Sequence, residues 1–304
     1  MKRSRSHLSG IALMCKASFA FSLMALCVKF ASQTLPSLEI VFFRSLIGAL
    51  MILTLIRAKK VSLFGKEKFL MILRGLCGFA ALSLHFYTIA RLPLGTAVLL
   101  NYTGPIFASL FAVFFLKEKP GILLFAMALI SFTGVYFLTQ ADFRAAVLPF
   151  FLALLSGVFV GIVYVLIRAI RRRESPLTVI FYFTAVSTAG SLGFLPFGFK
   201  WPGLYEWLLL AGVGAGSFYG QLWMTTSLRR APAALVSPFS YLAPLLSFVY
   251  GFIFFGEEWT FQSAWGAFLI ILGGSLISYF ETLPVSKKNS KLERQVSNSR
   301  FKLT

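Results

Sequence analysis

The chain has 304 residues, 58% of them hydrophobic and only 13% charged, with a formal net charge of +19. About a quarter charged is ordinary for a soluble domain, so a soluble globular fold is excluded, and no polar stretch is long enough to build an extra soluble domain. A balance of 29 Lys and Arg against 10 Asp and Glu would suit a polyanion such as nucleic acid, but most of the basic residues fall in short segments between apolar runs, and that partner is not needed.

The amino terminus, MKRSRSH, leads into an apolar run from Leu8 to Ala31 that Lys16 interrupts. The run is longer than the core of a secretory signal and no convincing small-x-small site follows, so it reads as a retained first span behind a short cytoplasmic terminus, residues 1–8. Further apolar runs lie near 37–56, 69–90, 94–116, 121–140, 147–168, 176–198, 203–228, 231–255 and 260–281. Each is close to the ~20 residues that cross a hydrocarbon core of about 30 Å. The expected fold is therefore an all-α membrane protein of ten transmembrane helices. Residues 282–304, rich in Lys, Ser and Asn, read as a disordered basic cytoplasmic tail.

Lys and Arg mark cytoplasmic loops. One side receives 21 of them, from Lys2, Arg3 and Arg5 through Lys117, Lys119 and Arg171 to Arg173 to the tail, and the other only three, Arg91, Arg144 and Lys200. Both termini are expected in the cytoplasm, and the membrane to be the cytoplasmic (inner) one.

Shifted by 139 residues, the sequence aligns with itself without gaps. Arg91-Leu-Pro93 meets Arg230-Ala-Pro232, and Tyr102, Pro105, Phe115 and Glu118 meet Tyr241, Pro244, Phe254 and Glu257. Lys29 meets Arg168, Gly75 meets Gly214, and Gly134 meets Gly273. Five spans is an odd number, so residues 9–140 and 147–281 are expected to be two inverted five-helix repeats. Such repeats are a signature of secondary transporters that rock about a midplane site.

The stretch RGLCGFAALSLHFYTIARLPLGTAVLLNYTGPIFASLFAVFFLKEK, Arg74 to Lys119, resembles the EamA family of the drug/metabolite transporter superfamily, and SPFSYLAPLLSFVYGFIFFGEE, Ser237 to Glu258, is the matching second half. The resemblance implies a transporter over about residues 9–281 and leaves the substrate class wide. One departure is Gly95-Thr96, where many relatives carry an acidic residue after the LPL.

Ionisable groups inside hydrocarbon are costly and so become functional candidates. Lys29, Arg168, Glu281 and Arg74 lie near span ends and are expected to snorkel to the interface. Arg44 lies seven residues from the outer end of its span, roughly 10 Å deep, without an acidic residue on its face; Glu39 is nearer the surface. It is expected to face an aqueous cavity and to bind substrate. Asn101 and His85 share its depth, and Arg74, Gly78, Ala81 and His85 form one helix face. Gln221, Trp223, Ser240 and Tyr241 add aromatic and hydrogen-bonding surface on the inner side, and Tyr102 is a further substrate-binding candidate as the equivalent of Tyr241 in the first half. Lys16 adds positive charge. Gly212, Gly216 and Gly220 suit close helix packing. Pro105, Pro238 and Pro244 remove backbone hydrogen bonds and mark helix breaks or hinges.

Cys15, Cys27 and Cys77 show no CxxC or Cys/His spacing, and neither a metal site nor a cofactor is expected. The leading reading is a secondary transporter of a small anionic or zwitterionic metabolite, such as an amino acid or nucleotide-like solute. An exporter of drugs or of aromatic or neutral metabolites is the alternative. More remote are a lipid-carrier flippase component and a non-transporting receptor. An enzyme is not expected, since His7 and His85 are the only histidines and no acid/base cluster accompanies them. The expected partners are a small-molecule substrate and the lipid bilayer, with a homodimer left open as the assembly.

Overall fold

A computed structural model describes residues 2–115, 122–140, 147–170, 173–231 and 233–280. Glu118, Asp142, Arg144, Glu281 and the tail at 282–304 lie outside the described residues, as does the side chain of Arg168. All regular structure among the described residues is helical. The first half holds α1 (Lys2–Ala31), α2 (Ser37–Ala58), α3 (Lys68–Arg91), α4 (Leu94–Asn101), α5 (Gly104–Phe115) and α6 (Ile122–Gln140). The second holds α7 (Val147–Ile170), α8 (Pro176–Leu192), α9 (Leu204–Arg230), α10 (Ala233–Val236), α11 (Leu242–Phe255) and α12 (Phe261–Phe280). Short 3-10 turns lie at Leu195–Phe197 and Ser237–Tyr241.

Among the described residues, seven helical segments are long and apolar enough to cross a membrane. Apolar stretches in α6 and α12 are shorter, at Ala126–Phe137 and Phe261–Ile277. The 27-residue α9 is about 40 Å long at 1.5 Å per residue, and its Gly, Ser, Thr and Gln dilute its apolar character.

Helix contacts obey the 139-residue offset. The pairing of α1 with α9 has its counterpart in α7 with α3, and α2 with α9 in α8 with α3. Packing of α5 on α7 recurs as α11 on α1, and that of α4 on α7 as α10 and the 3-10 turn on α1, while α2 pairs with its own equivalent α8 and α6 with α12. Individual residues keep the same correspondence. A Cβ on Gly75 would press on Val186, 2.9 Å away, and one on Gly214 on Ile47, 2.5 Å away; Ile47 and Val186 are themselves 139 apart. Likewise Gly134 meets Gly266 and Ile270, while Gly273 meets Met127 and Ser131. Residue numbers run in opposite directions across that contact, so α6 and α12 are antiparallel. The glycine stripe of α9 packs on α1, with Gly212 at Cys27, Gly216 at Ala20 and Met24, and Gly220 at Phe21. In lipid, where tails are as apolar as Leu, such close approach is what associates helices.

Lys29 was expected to snorkel, and it does not. Its Nζ donates to the Leu92 carbonyl at 2.6 Å and lies 3.3 Å from Glu257 Oε1. Glu257 in turn accepts from Leu94 N at 2.9 and 2.7 Å, satisfying the first free N–H of α4. Acceptors from the α3–α4 turn and from the end of α11 converge on the ammonium, so the interface offers it nothing better. The departure at Gly95-Thr96 also has a steric reason: Gly95 lies flat against the Phe248 ring, and Thr96 is buried.

At Gly134 the neighbours are backbone atoms, Gly266 O at 2.7 Å and Ile270 N at 2.9 Å from a built Cβ, and they cannot swing aside. Gly134→Val should cost about 1–3 kcal/mol by overpacking and lower the thermal midpoint of the purified protein. Gly198→Ala, with nothing within 4 Å, should leave the midpoint unchanged; equal effects would contradict the packing described.

Candidate functional site

Between the two halves lies a cavity of about 220 Å³, below the 300–1,000 Å³ of drug-sized pockets and suited to a small solute. Its polar lining comes from Ser18 of α1, Arg44 of α2, Arg74 and His85 of α3, Asn101 and Tyr102 at the end of α4, Tyr164 of α7, Gln221 of α9 and Ser240. Phe21, Met24, Val160, Val163 and Phe183 supply apolar wall, and no Asp or Glu among the described residues lines it.

Two guanidinium groups dominate the electrostatics. Arg44 is 5% exposed; its Nε donates to Ser217 Oγ at 2.8 Å, and Ser217 donates on to Met24 Sδ at 2.9 Å. Its Nη1 has no hydrogen-bond partner among the described residues. Arg74 is also 5% exposed, with Nε and Nη1 both unpartnered, and so is Nδ1 of His85, 7% exposed. The Phe183 ring receives both cations, 4.2 Å from Arg74 Cζ and 5.1 Å from Arg44 Cζ to its centroid. Cation–π attraction offsets part of the desolvation, yet free N–H donors buried away from water are costly. These donors await an acceptor.

Carboxylates elsewhere among the described residues have other partners. Glu39 accepts from Lys200 N at 3.0 Å, Glu257 holds Lys29 and Leu94, and Glu174 accepts from the backbone of Lys66 and Glu67. Among the described residues no group of three or more His, Cys, Asp and Glu side chains comes together.

Both apolar segments crossing the middle of the molecule are broken beside this cavity. The run from Leu94 is interrupted at Tyr102-Thr103, where Thr103 Oγ1 donates to Leu100 O at 2.6 Å, and resumes at Gly104-Pro105. Its counterpart passes through the 3-10 turn at Ser237–Tyr241 and resumes at Leu242. Pro105 and Pro244 carry no N–H, so the carbonyls four residues earlier, on Asn101 and Ser240, lose their helical donors. Ser18 Oγ serves the second break, donating to Phe239 O at 3.0 Å and reaching Ser240 O at 3.4 Å. Asn101 Nδ2 donates to Ser156 Oγ at 2.7 Å, and Ser156 to Ala81 O at 2.9 Å, which fixes the amide at the cavity wall.

Six side chains singled out from sequence therefore meet at one cavity: Arg44, His85, Asn101, Tyr102, Gln221 and Ser240, with Pro105 beside them. Three do not line it. Lys16 is exposed on the outer face of α1, on the same flank as Phe19 and Leu23. Trp223 lies 5.4 Å from Tyr219, away from the lining. Tyr241 sits just behind it, its ring 5.9 Å from that of Tyr102 and its hydroxyl against Gly274. Pro238 lies within the 3-10 break, and Pro244 in the first turn of α11.

Arg74 is the main correction. It was expected to snorkel, but α8 packs across α3 at Gly75 and Gly78 and turns the guanidinium inward onto Phe183. The stripe Arg74, Gly78, Ala81 and His85 carried that signal, since three other members of the face point to a helix neighbour or cavity rather than to lipid. Phe183 was also missed, although the 139-residue offset puts it at the place of Arg44, just as Ser217 stands at the place of Gly78.

Two segments, residues 8–140 and 147–279, match the model of the EamA-like transporter family. The chain belongs to that family. It is 33% identical to the pseudopaline exporter of Pseudomonas aeruginosa strain UCBPP-PA14, over 87% of this chain and 94% of that one. It is 27% identical to an uncharacterized transporter of Helicobacter pylori strain 26695, over 92% and 98%, and 26% identical to an S-adenosylmethionine uptake transporter of Rickettsia bellii, over 86% and 90%. A protein of known crystal structure shares the fold, with a TM-score of 0.66 and 21% identity over 90% of this chain and 96% of that one. The protein is thus a multi-pass membrane transporter of the EamA-like family, and not an enzyme.

Ser217 is the only hydrogen-bond partner of Arg44 found among the described residues. Ser217→Ala in this EamA-family transporter should cost about 1–3 kcal/mol by leaving Nε unsatisfied, read as a lowered thermal midpoint. An unchanged midpoint would contradict the anchoring role.

Proposed function

We propose that this transporter carries a small anionic or zwitterionic metabolite across the cytoplasmic membrane by alternating access, through two oppositely oriented five-helix halves with both termini in the cytoplasm. Support for the opposed halves comes from the exchange of contacts at the 139-residue offset and from the antiparallel register of α6 against α12. Support for the orientation comes from the 21-to-3 division of basic residues. Broken helices facing a central site are the arrangement from which inverted-repeat transporters build substrate sites.

The single observation that carries the substrate reading is Arg44. It is buried, faces the cavity, keeps one nitrogen unpartnered and meets no carboxylate among the lining residues. A carboxylate or phosphate on the solute would supply the missing acceptor by a charge-assisted, bidentate pair. Phe21, Tyr102, Tyr164 and Phe183 suit an apolar or aromatic portion of the same solute. The 33% identity to an exporter supports export as the direction.

In proteoliposomes screened against amino acids, carboxylates and nucleotides, a solute bearing an anionic group should be moved. Arg44→Ala should lower its flux at least about tenfold, a loss of roughly 1.4 kcal/mol of transition-state binding. Arg44→Lys should also impair it, because an ammonium cannot reproduce the planar fork. Normal flux through the Ala variant would remove the basis for the reading.

A further inference from the structure

We propose that the cavity holds a dianionic group, two carboxylates or one phosphate, between Arg44 and Arg74, with His85 as a third polar contact. This rests on the transport reading above and narrows its substrate class: a zwitterion with one carboxylate does not match the site.

Charge is the first reason. Two guanidinium groups, each 5% exposed, line one cavity, and no acidic side chain among the described residues lines it with them. A lone carboxylate would neutralise one of them and leave the other unpaired, which is the costly state for a buried ion. The ammonium of an amino acid would add a third positive charge where only neutral acceptors stand, among them Asn101, Tyr102, Gln221 and Ser240.

Geometry is the second. Both guanidinium carbons sit over the same Phe183 ring, so they are no farther apart than the sum of their two centroid distances, about 9 Å. Arg44 is tethered through Nε to Ser217, leaving Nη1 free, and Arg74 keeps Nε and Nη1 free, donors on two edges of its guanidinium. His85 Nδ1, unpartnered on the same face of α3 as Arg74, adds a group able to donate or accept. Ring faces already cover part of each cation, so a ligand need supply only the acceptors.

The test is calorimetric titration of the purified full-length protein with succinate, inorganic phosphate, propionate and alanine. Succinate, phosphate or both should bind at least tenfold more tightly than propionate and alanine. Succinate alone points to a dicarboxylate, phosphate alone to a phosphorylated solute. Arg74→Gln should weaken the dianion at least tenfold while leaving propionate within threefold, and Arg74→Lys, which keeps the charge, should retain the preference. An equal loss for all four probes in Arg74→Gln would make the residue merely structural and overturn the proposal. So would wild-type protein that binds propionate or alanine as tightly as the dianions, or that binds neither dianion. Liposome flux of alanine without dianion binding would sink this proposal and leave the transport reading standing. Tight dianion binding with no flux of any solute would do the reverse.

Discussion

The structure depends on close packing between two halves built to one plan. Hydrocarbon supplies no hydrophobic drive between helices, so association rests on small residues that let backbones meet. Two such contacts occur in exchanged form. Gly75 accepts Val186 and Gly214 accepts Ile47; Gly134 accepts Ile270 and Gly273 accepts Ser131. Tyr102 and Tyr241, equivalent residues, touch each other. Self-pairing of α2 with α8 and of α6 with α12 places the meeting surface through the centre, and the cavity opens along it.

Departures from that symmetry are where function concentrates. Arg44 and Phe183 occupy equivalent places, and one half contributes the cation while the other contributes the ring beneath it. Gly78 and Ser217 are equivalent too: the glycine admits the Phe183 ring, and the serine holds Arg44. A pair of identical residues at either place would lose that division of labour. At the helix breaks the symmetry is closer, with Pro105 and Pro244 freeing the carbonyls of Asn101 and Ser240 on the same cavity.

Much of this was legible in the sequence because membranes restrict the options. Apolar length, basic-loop bias and the gap-free offset pointed to a helical membrane protein with two related halves. Depth along each span singled out Arg44, His85 and Asn101, which line one cavity. Depth alone could not place Lys16 or Trp223, since it ignores which way a helix is turned; both lie off the lining. The same blindness assigned Arg74 and Lys29 to the interface. Their real positions follow from contacts distant in sequence, Phe183 for one and Glu257 for the other. Breaks at Tyr102-Thr103 and Ser237–Tyr241 were signalled by proline, but the 3-10 geometry of the second was not.

Opposed halves predict that equivalent positions lie on opposite faces of the membrane, and that is measured most directly by side-specific labelling. Lys66 and Tyr205 are 139 residues apart and both exposed, Lys66 two residues before α3 and Tyr205 in the first turn of α9. In a variant with Cys15, Cys27 and Cys77 replaced by serine, single cysteines are placed at either position and intact cells are treated with a membrane-impermeant maleimide. The cysteine at 205 should react in intact cells, and the cysteine at 66 only after lysis. Reaction of both from the same side would contradict the opposed orientation of the halves.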